Sequence, residues 1–67
     1  MNPENLEMLK GLIKVKKSHL LEMEKNNANY TDPVIVDTRN NIMQINSMEI
    51  RFLRDIVKQE EKDNGNH

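Results

Sequence analysis

Residues 34–57 run VIVDTRNNIMQINSMEIRFLRDIV. Val34-Ile35-Val36 has the β-branched character of a short strand, which stands as the alternative. Ile42, Ile45, Phe52 and Ile56 follow at helical spacing, and the segment is read as one helix. At 100° per residue, Met48, Phe52, Ile45, Ile56, Ile42, Ile35, Leu53, Val57, Ile50 and Met43 spread over roughly two-thirds of the wheel, where an ordinary surface helix carries a stripe about 100° wide. A helix of this kind has apolar surface for two neighbours.

On its N-terminal side, Asp32-Pro33 supplies a cap and a first helical residue, with Thr31 as an alternative cap and Tyr30 placed to fold onto Ile35 as an apolar staple. Asn26-Asn27-Ala28-Asn29-Tyr30-Thr31 is rich in side chains that compete for backbone hydrogen bonds, and reads as a turn. Before it, Leu6, Leu9, Ile13, Leu20 and Met23 recur at three- and four-residue steps, and Met8, Leu12 and Val15 broaden the face. Asn2-Pro3-Glu4 starts that helix as Asp32-Pro33 starts the other. Gly11 inside it is either an indifferent surface position or a close approach of another backbone.

The expected architecture is all-α: an antiparallel two-helix hairpin over residues 1–62, with helix 3–25, turn 26–32 and helix 33–61, followed by a disordered tail 63–67. A chain of 67 residues without cysteine has no disulfide to reinforce it. Chains this small seldom draw more than about 3–5 kcal/mol from one core. Dimerisation into a four-helix bundle is therefore expected, since the apolar sector exceeds what one partner helix covers. Met8, Met23, Met43 and Met48 fall on the apolar sectors, where flexible thioethers serve either as core filling or as adaptable contact surface. The expected partner or dimer interface is Ile42, Met43, Ile50, Leu53 and Val57 of the second helix with Leu12 and Val15 of the first.

Several function classes lack their chemistry. His19, in the middle of the first apolar arc, reads as a packed side chain with Glu22 as its sole metal-ligand companion at helical spacing, and His67 sits on the tail. Ser18 and Ser47 have no base or oxyanion loop near them, and Gly11 and Gly65 are isolated. No catalytic residue, metal or cofactor is expected. Lys10, Lys14 and Lys17 on one helix and Arg51, Arg54 and Lys58 on the other are interrupted by Glu7 and Asp55 and lack stacking aromatics, so they read as solvated faces rather than a nucleic-acid site. A net charge of −1 gives no long-range attraction for nucleic acid or anionic lipid. The longest apolar runs are far shorter than the ~18–20 residues of a membrane span. A cytoplasmic, unprocessed chain is expected, and the Asn, Lys and Ile usage suits an AT-rich bacterial or phage genome.

Leu12-Ile13-x-x-Lys16-Lys17-x-x-Leu20, the loop ending Thr31-Asp32-Pro33 and the apolar second helix as far as Asn46 resemble the small sporulation-regulatory aspartyl-phosphate phosphatases of spore-forming bacteria, which act on a phosphorylated response regulator. The resemblance covers about half the chain. That family carries Ser-Gln-Glu-Leu-Asp in its second helix, where this chain has Thr38-Arg39-Asn40-Asn41-Ile42-Met43. Ile42 or Met43 stands in place of the Asp linked with dephosphorylation, and Asp37 lies before the motif on another side of the helix. The resemblance implies a fold and a partner class, a receiver domain, with Arg39, Asn40 and Asn41 as a polar patch. Independently of it, Lys16 projects from the middle of the first apolar arc, with its stem across the seam and the ammonium at the edge, or paired with a partner's carboxylate as a further polar contact. The leading functional expectation is a small regulatory or inhibitory protein that binds through apolar helix faces, to itself as a homodimer or to a protein partner. An aspartyl-phosphate phosphatase and a phage or mobile-element inhibitor of a host factor are the alternatives.

Overall fold

The computed structural model describes residues 1–65. It contains helix α1 (Pro3–Asn26), a single 3-10 turn (Asn27–Asn29) and helix α2 (Pro33–Gly65). Both helices begin with the same device. The Asn2 side chain accepts a hydrogen bond from the Glu4 N–H at 2.8 Å, and the Asp32 carboxylate accepts from the Val34 N–H at 2.9 Å, each with proline at the first helical position. Of the two cap candidates for α2, Asp32 takes the role. Tyr30 lies under the Arg39 guanidinium, 4.3 Å from its ring centroid, and stacks on a cation there.

α2 extends past its expected end. Asp63–Gly65, expected to be tail, is helical, and the Gln59 amide donates to the Asp63 carboxylate one turn on. Propagating an existing helix fixes one residue per added hydrogen bond, so it needs no apolar anchor of its own. Asn66 and His67 lie outside the described residues.

The helices pack along one seam. On α1 the seam residues are Leu6, Leu9, Ile13, Lys16, Leu20 and Met23; on α2 they are Val36, Arg39, Met43, Asn46, Ile50, Leu53, Val57 and Glu60, all buried or half-buried. Their alternating three- and four-residue steps make the seven-residue repeat of paired helices. Lys16 meets Glu49, Lys10 meets Glu61 at 2.8 Å, and the Met1 amino group meets Glu60 at 2.8 Å, ties that require antiparallel helices.

This seam corrects the expected interface. Ile50, Leu53, Val57 and Met43 were assigned to the outside of the hairpin, but they face α1, and Ile50 is 5% exposed. An apolar sector two-thirds of a turn wide states that α2 has two neighbours without saying which half meets which. The same splitting corrects His19, which is exposed rather than packed in an apolar arc. Its arc is two adjacent stripes, and His19 continues the outer one.

The core is thin. Leu6, Ile13 and Ile50 are the buried apolar residues, and no large side chain among the described residues is fully enclosed. The molecule measures 54 × 15 × 12 Å with a radius of gyration of 15.6 Å, against about 11 Å for a globular chain of this length. Gly11 settles its own two readings within one copy, since a Cβ built there meets nothing within 4 Å. Gly11→Ala is expected to stabilise the hairpin by about 0.5–1 kcal/mol, seen as a rise of several degrees in thermal unfolding. A fall would mean that another backbone does approach this position.

Candidate functional site

On each helix, the residues one position before those of the seam form a second apolar stripe. On α1 these include Met8, Leu12 and Val15; on α2, Ile35, Ile42, Ile45, Phe52 and Ile56. One residue turns a helix by 100°, in the same sense as seen from each N-terminus. Because the two helices run in opposite directions, these rotations carry both stripes to the same side of the hairpin. The result is one apolar face built from both helices.

That face is exposed. Met8 is 73%, Val15 66%, Phe52 64% and Ile45 62% accessible, and Met48 lies beside the last two at a similar exposure. Along α1 it opens into a groove of about 620 Å³ lined by Met1, Asn5, Met8, Leu9, Leu12 and Val15. Near its middle the Lys16–Glu49 pair crosses from helix to helix, leaving the face without net charge at that point. Of the residues expected at an interface, Ile42, Leu12 and Val15 lie on this face. Met8, Ile45 and Phe52 belong with them: Met8 was weighed only as core filling or adaptable contact, and Ile45 and Phe52 were counted in the wide apolar sector without being placed at an interface. The signal that finds them is the one-residue offset from the seam repeat, once the seam is known.

The opposite face is built from the residues that follow each seam position. Lys10, Lys14, Lys17 and Leu21 of α1 come alongside Ser47, Arg51, Arg54, Lys58 and Glu61 of α2. Two basic stripes that the linear sequence keeps apart thus become one patch. Lys10 is engaged by Glu61 at 2.8 Å and by Glu7 at 3.7 Å. The hydrogen bond to Glu61 raises the Lys10 ammonium above its ordinary value of 10.5, with desolvation opposing it and attraction to Glu61 and Glu7 adding. On the lysine's side, whatever this tie contributes is present at neutral pH and is lost as pH rises through the raised value.

The polar residues expected to make partner contacts are differently employed. The Arg39 guanidinium donates to the Met23 carbonyl at 3.1 Å and to the Asn27 side chain at 3.2 Å, closing the C-terminal end of α1 where a cation is favoured by the helix dipole. Asn27 in turn donates to Asn40 at 3.3 Å. Arg39 and Asn40 therefore hold the loop, Asn41 is exposed, and Lys16 is paired with Glu49. Arg39→Ala is expected to cost about 1.5–3 kcal/mol through the lost charged hydrogen bonds, measured as a lower urea midpoint. Loss of no more than a few tenths would make the network ornamental.

Among the described residues, no three of His, Cys, Asp and Glu gather where they could hold a metal ion. His19 and Glu22 share a shallow surface dent with Lys14, Val15 and Ser18. Among the described residues, no helix is long and apolar enough to cross a membrane. No protein-family model, no curated protein and no solved structure matches this chain.

Proposed function

We propose that this is a small regulatory protein that acts by protein–protein contact, and that its apolar face pairs with a second copy of the chain to form a four-helix bundle. The observation that carries this is surface area. The hairpin exposes 5392 Å², whereas a folded monomer of 7.9 kDa exposes about 4,400 Å². The excess is close to the ~800 Å² that each partner contributes to a standard interface. Six of the exposed large apolar side chains, Met8, Leu12, Val15, Ile42, Ile45 and Phe52, share one side of the hairpin, while Leu21 lies on the other.

A second copy suits this face better than a charged partner does, because the ion pair in its middle is already neutralised within one chain. A twofold arrangement also covers both copies with one set of residues, and yields two-helix layers packed as in four-helix bundles. Arg39 and Asn40 are occupied in the loop, so no observation favours a receiver domain over a second copy. Sedimentation equilibrium tests the pairing. A mass about twice the 7.9 kDa of the chain at micromolar concentration is expected, and a folded monomer at that concentration would overturn it.

A further inference from the structure

The face opposite the apolar one carries a separate site. Between the helices it holds a groove of about 250 Å³ lined by Lys17, Leu20, Leu21, Ser47, Ile50, Arg51 and Arg54. Lys14 and Lys58 flank it on the same side. Lys14, Lys17, Arg51, Arg54 and Lys58 are exposed, and none of them has a carboxylate within ion-pair distance among the described residues. Glu7 and Glu61 are drawn to Lys10 at one end. Asp55 lies almost opposite the seam on α2, turned away from the groove by helical phase.

A chain with net charge −1 thus sets three uncompensated cations, Lys17, Arg51 and Arg54, in the lining of an apolar-floored groove, with Lys14 and Lys58 on the same side of the hairpin. Self-repulsion within such a cluster is relieved by a partner that brings negative charge. The floor is apolar, with Leu21 at 64% exposure and Leu20 half-buried beside it, which rewards a partner that also brings an aliphatic side chain. We infer that this groove docks an acidic helical segment of another protein, with a Leu- or Ile-like side chain seated on Leu20 and Leu21 and its carboxylates on Arg51, Arg54 and Lys17. Arginine forks match carboxylates with two parallel hydrogen bonds. Nucleic acid is less well served, because the groove contains no aromatic ring on which a base stacks. The groove does not involve the apolar face, so it stands whether or not the chain dimerises.

The test uses the full chain and a synthetic 14-residue helical peptide with Glu on both flanks and Leu at positions i and i+4, followed by amide chemical shifts. Saturable binding is expected, with the shifts centred on Lys17, Leu21, Ser47, Arg51 and Arg54, and weakening as salt is raised. R51E/R54E is expected to weaken binding at least tenfold, as is K14E/K17E, which keeps the result readable if the first variant folds poorly. Lys25→Glu changes the net charge far from the groove and is expected to leave binding intact. No saturable binding, equal binding of the same peptide with Lys in place of Glu, or shifts centred on Ile45 and Phe52 would overturn the assignment. So would tighter binding of a 14-nucleotide single strand at the same residues.

Discussion

Ile45→Glu is expected to weaken self-association at least a hundredfold while leaving each hairpin intact. The side chain is exposed in one copy, so the substitution removes nothing from the seam. Glutamate is also a better helix former than isoleucine. In a twofold pair the change counts twice. Each buried aliphatic side chain is worth about 1.5–3 kcal/mol, so the pair loses about 3–6 kcal/mol, before any cost of burying a carboxylate. At about 1.4 kcal/mol per factor of ten, a micromolar dimer is weakened to a dissociation constant of roughly 0.1–20 mM and is a monomer at micromolar concentration. Gln44→Glu, which follows the seam residue Met43 and so lies on the opposite face of the hairpin, is the matched control and is expected to leave self-association unchanged. Equal loss in both variants would place the contact elsewhere.

Ile50→Ala is expected to unfold the protein instead of dissociating it. Ile50 is the most buried apolar residue of the seam, at 5% exposure, and its removal leaves a cavity between helices that have little else to hold them. Truncating a buried Ile to Ala costs about 2–5 kcal/mol, comparable with the ~3–5 kcal/mol that a core of this size supplies. Far-ultraviolet circular dichroism is expected to show loss of helix at 25 °C for Ile50→Ala and full helix for Ile45→Glu. The two isoleucines lie five residues apart in sequence and do opposite things. Similar spectra for both variants would mean that the seam and the outer face had been exchanged.

That exchange is the one the sequence invited. The starts of both helices and the turn were legible because they depend on local chemistry: Asn2-Pro3 and Asp32-Pro33 cap helices wherever they stand, and the Asn-rich turn between them can do little else. The number of helices and their antiparallel order followed from a short loop. The facing of α2 did not, because the two stripes have almost the same composition. The inner one contains Arg39, Asn46 and Glu60, and the outer one contains Thr38, Glu49 and Gln59 among its isoleucines. A rule that buries the more apolar stripe has nothing to choose by. The choice is made by contacts between helices, notably Arg39 reaching back to Met23 and Asn27, which fix the rotation of α2 about its own axis.

The basic groove was hidden for a related reason. Along the sequence, Asp55 sits among Arg51, Arg54 and Lys58 and dilutes them. In the helix it turns away from the seam, whereas the three cations stay beside Lys14 and Lys17 of α1. Charge patterns on a hairpin become readable only after the seam is placed, since the seam decides which residues of one helix neighbour those of the other. Both surfaces proposed here lie one residue to either side of it. A rotation of α2 by one position would abolish both.

Intermolecular contacts between an isotopically labelled and an unlabelled copy give the most direct view of this arrangement. In a mixed sample, isotope-filtered NOEs are expected to join the methyls of Met8, Leu12 and Val15 and of Ile42 and Ile45, together with the Phe52 ring, of one copy to members of the same set in the other. Contacts through Leu21 and the stems of Lys14 and Arg51, or none at concentrations where the chain is folded, would contradict the pairing of two apolar faces.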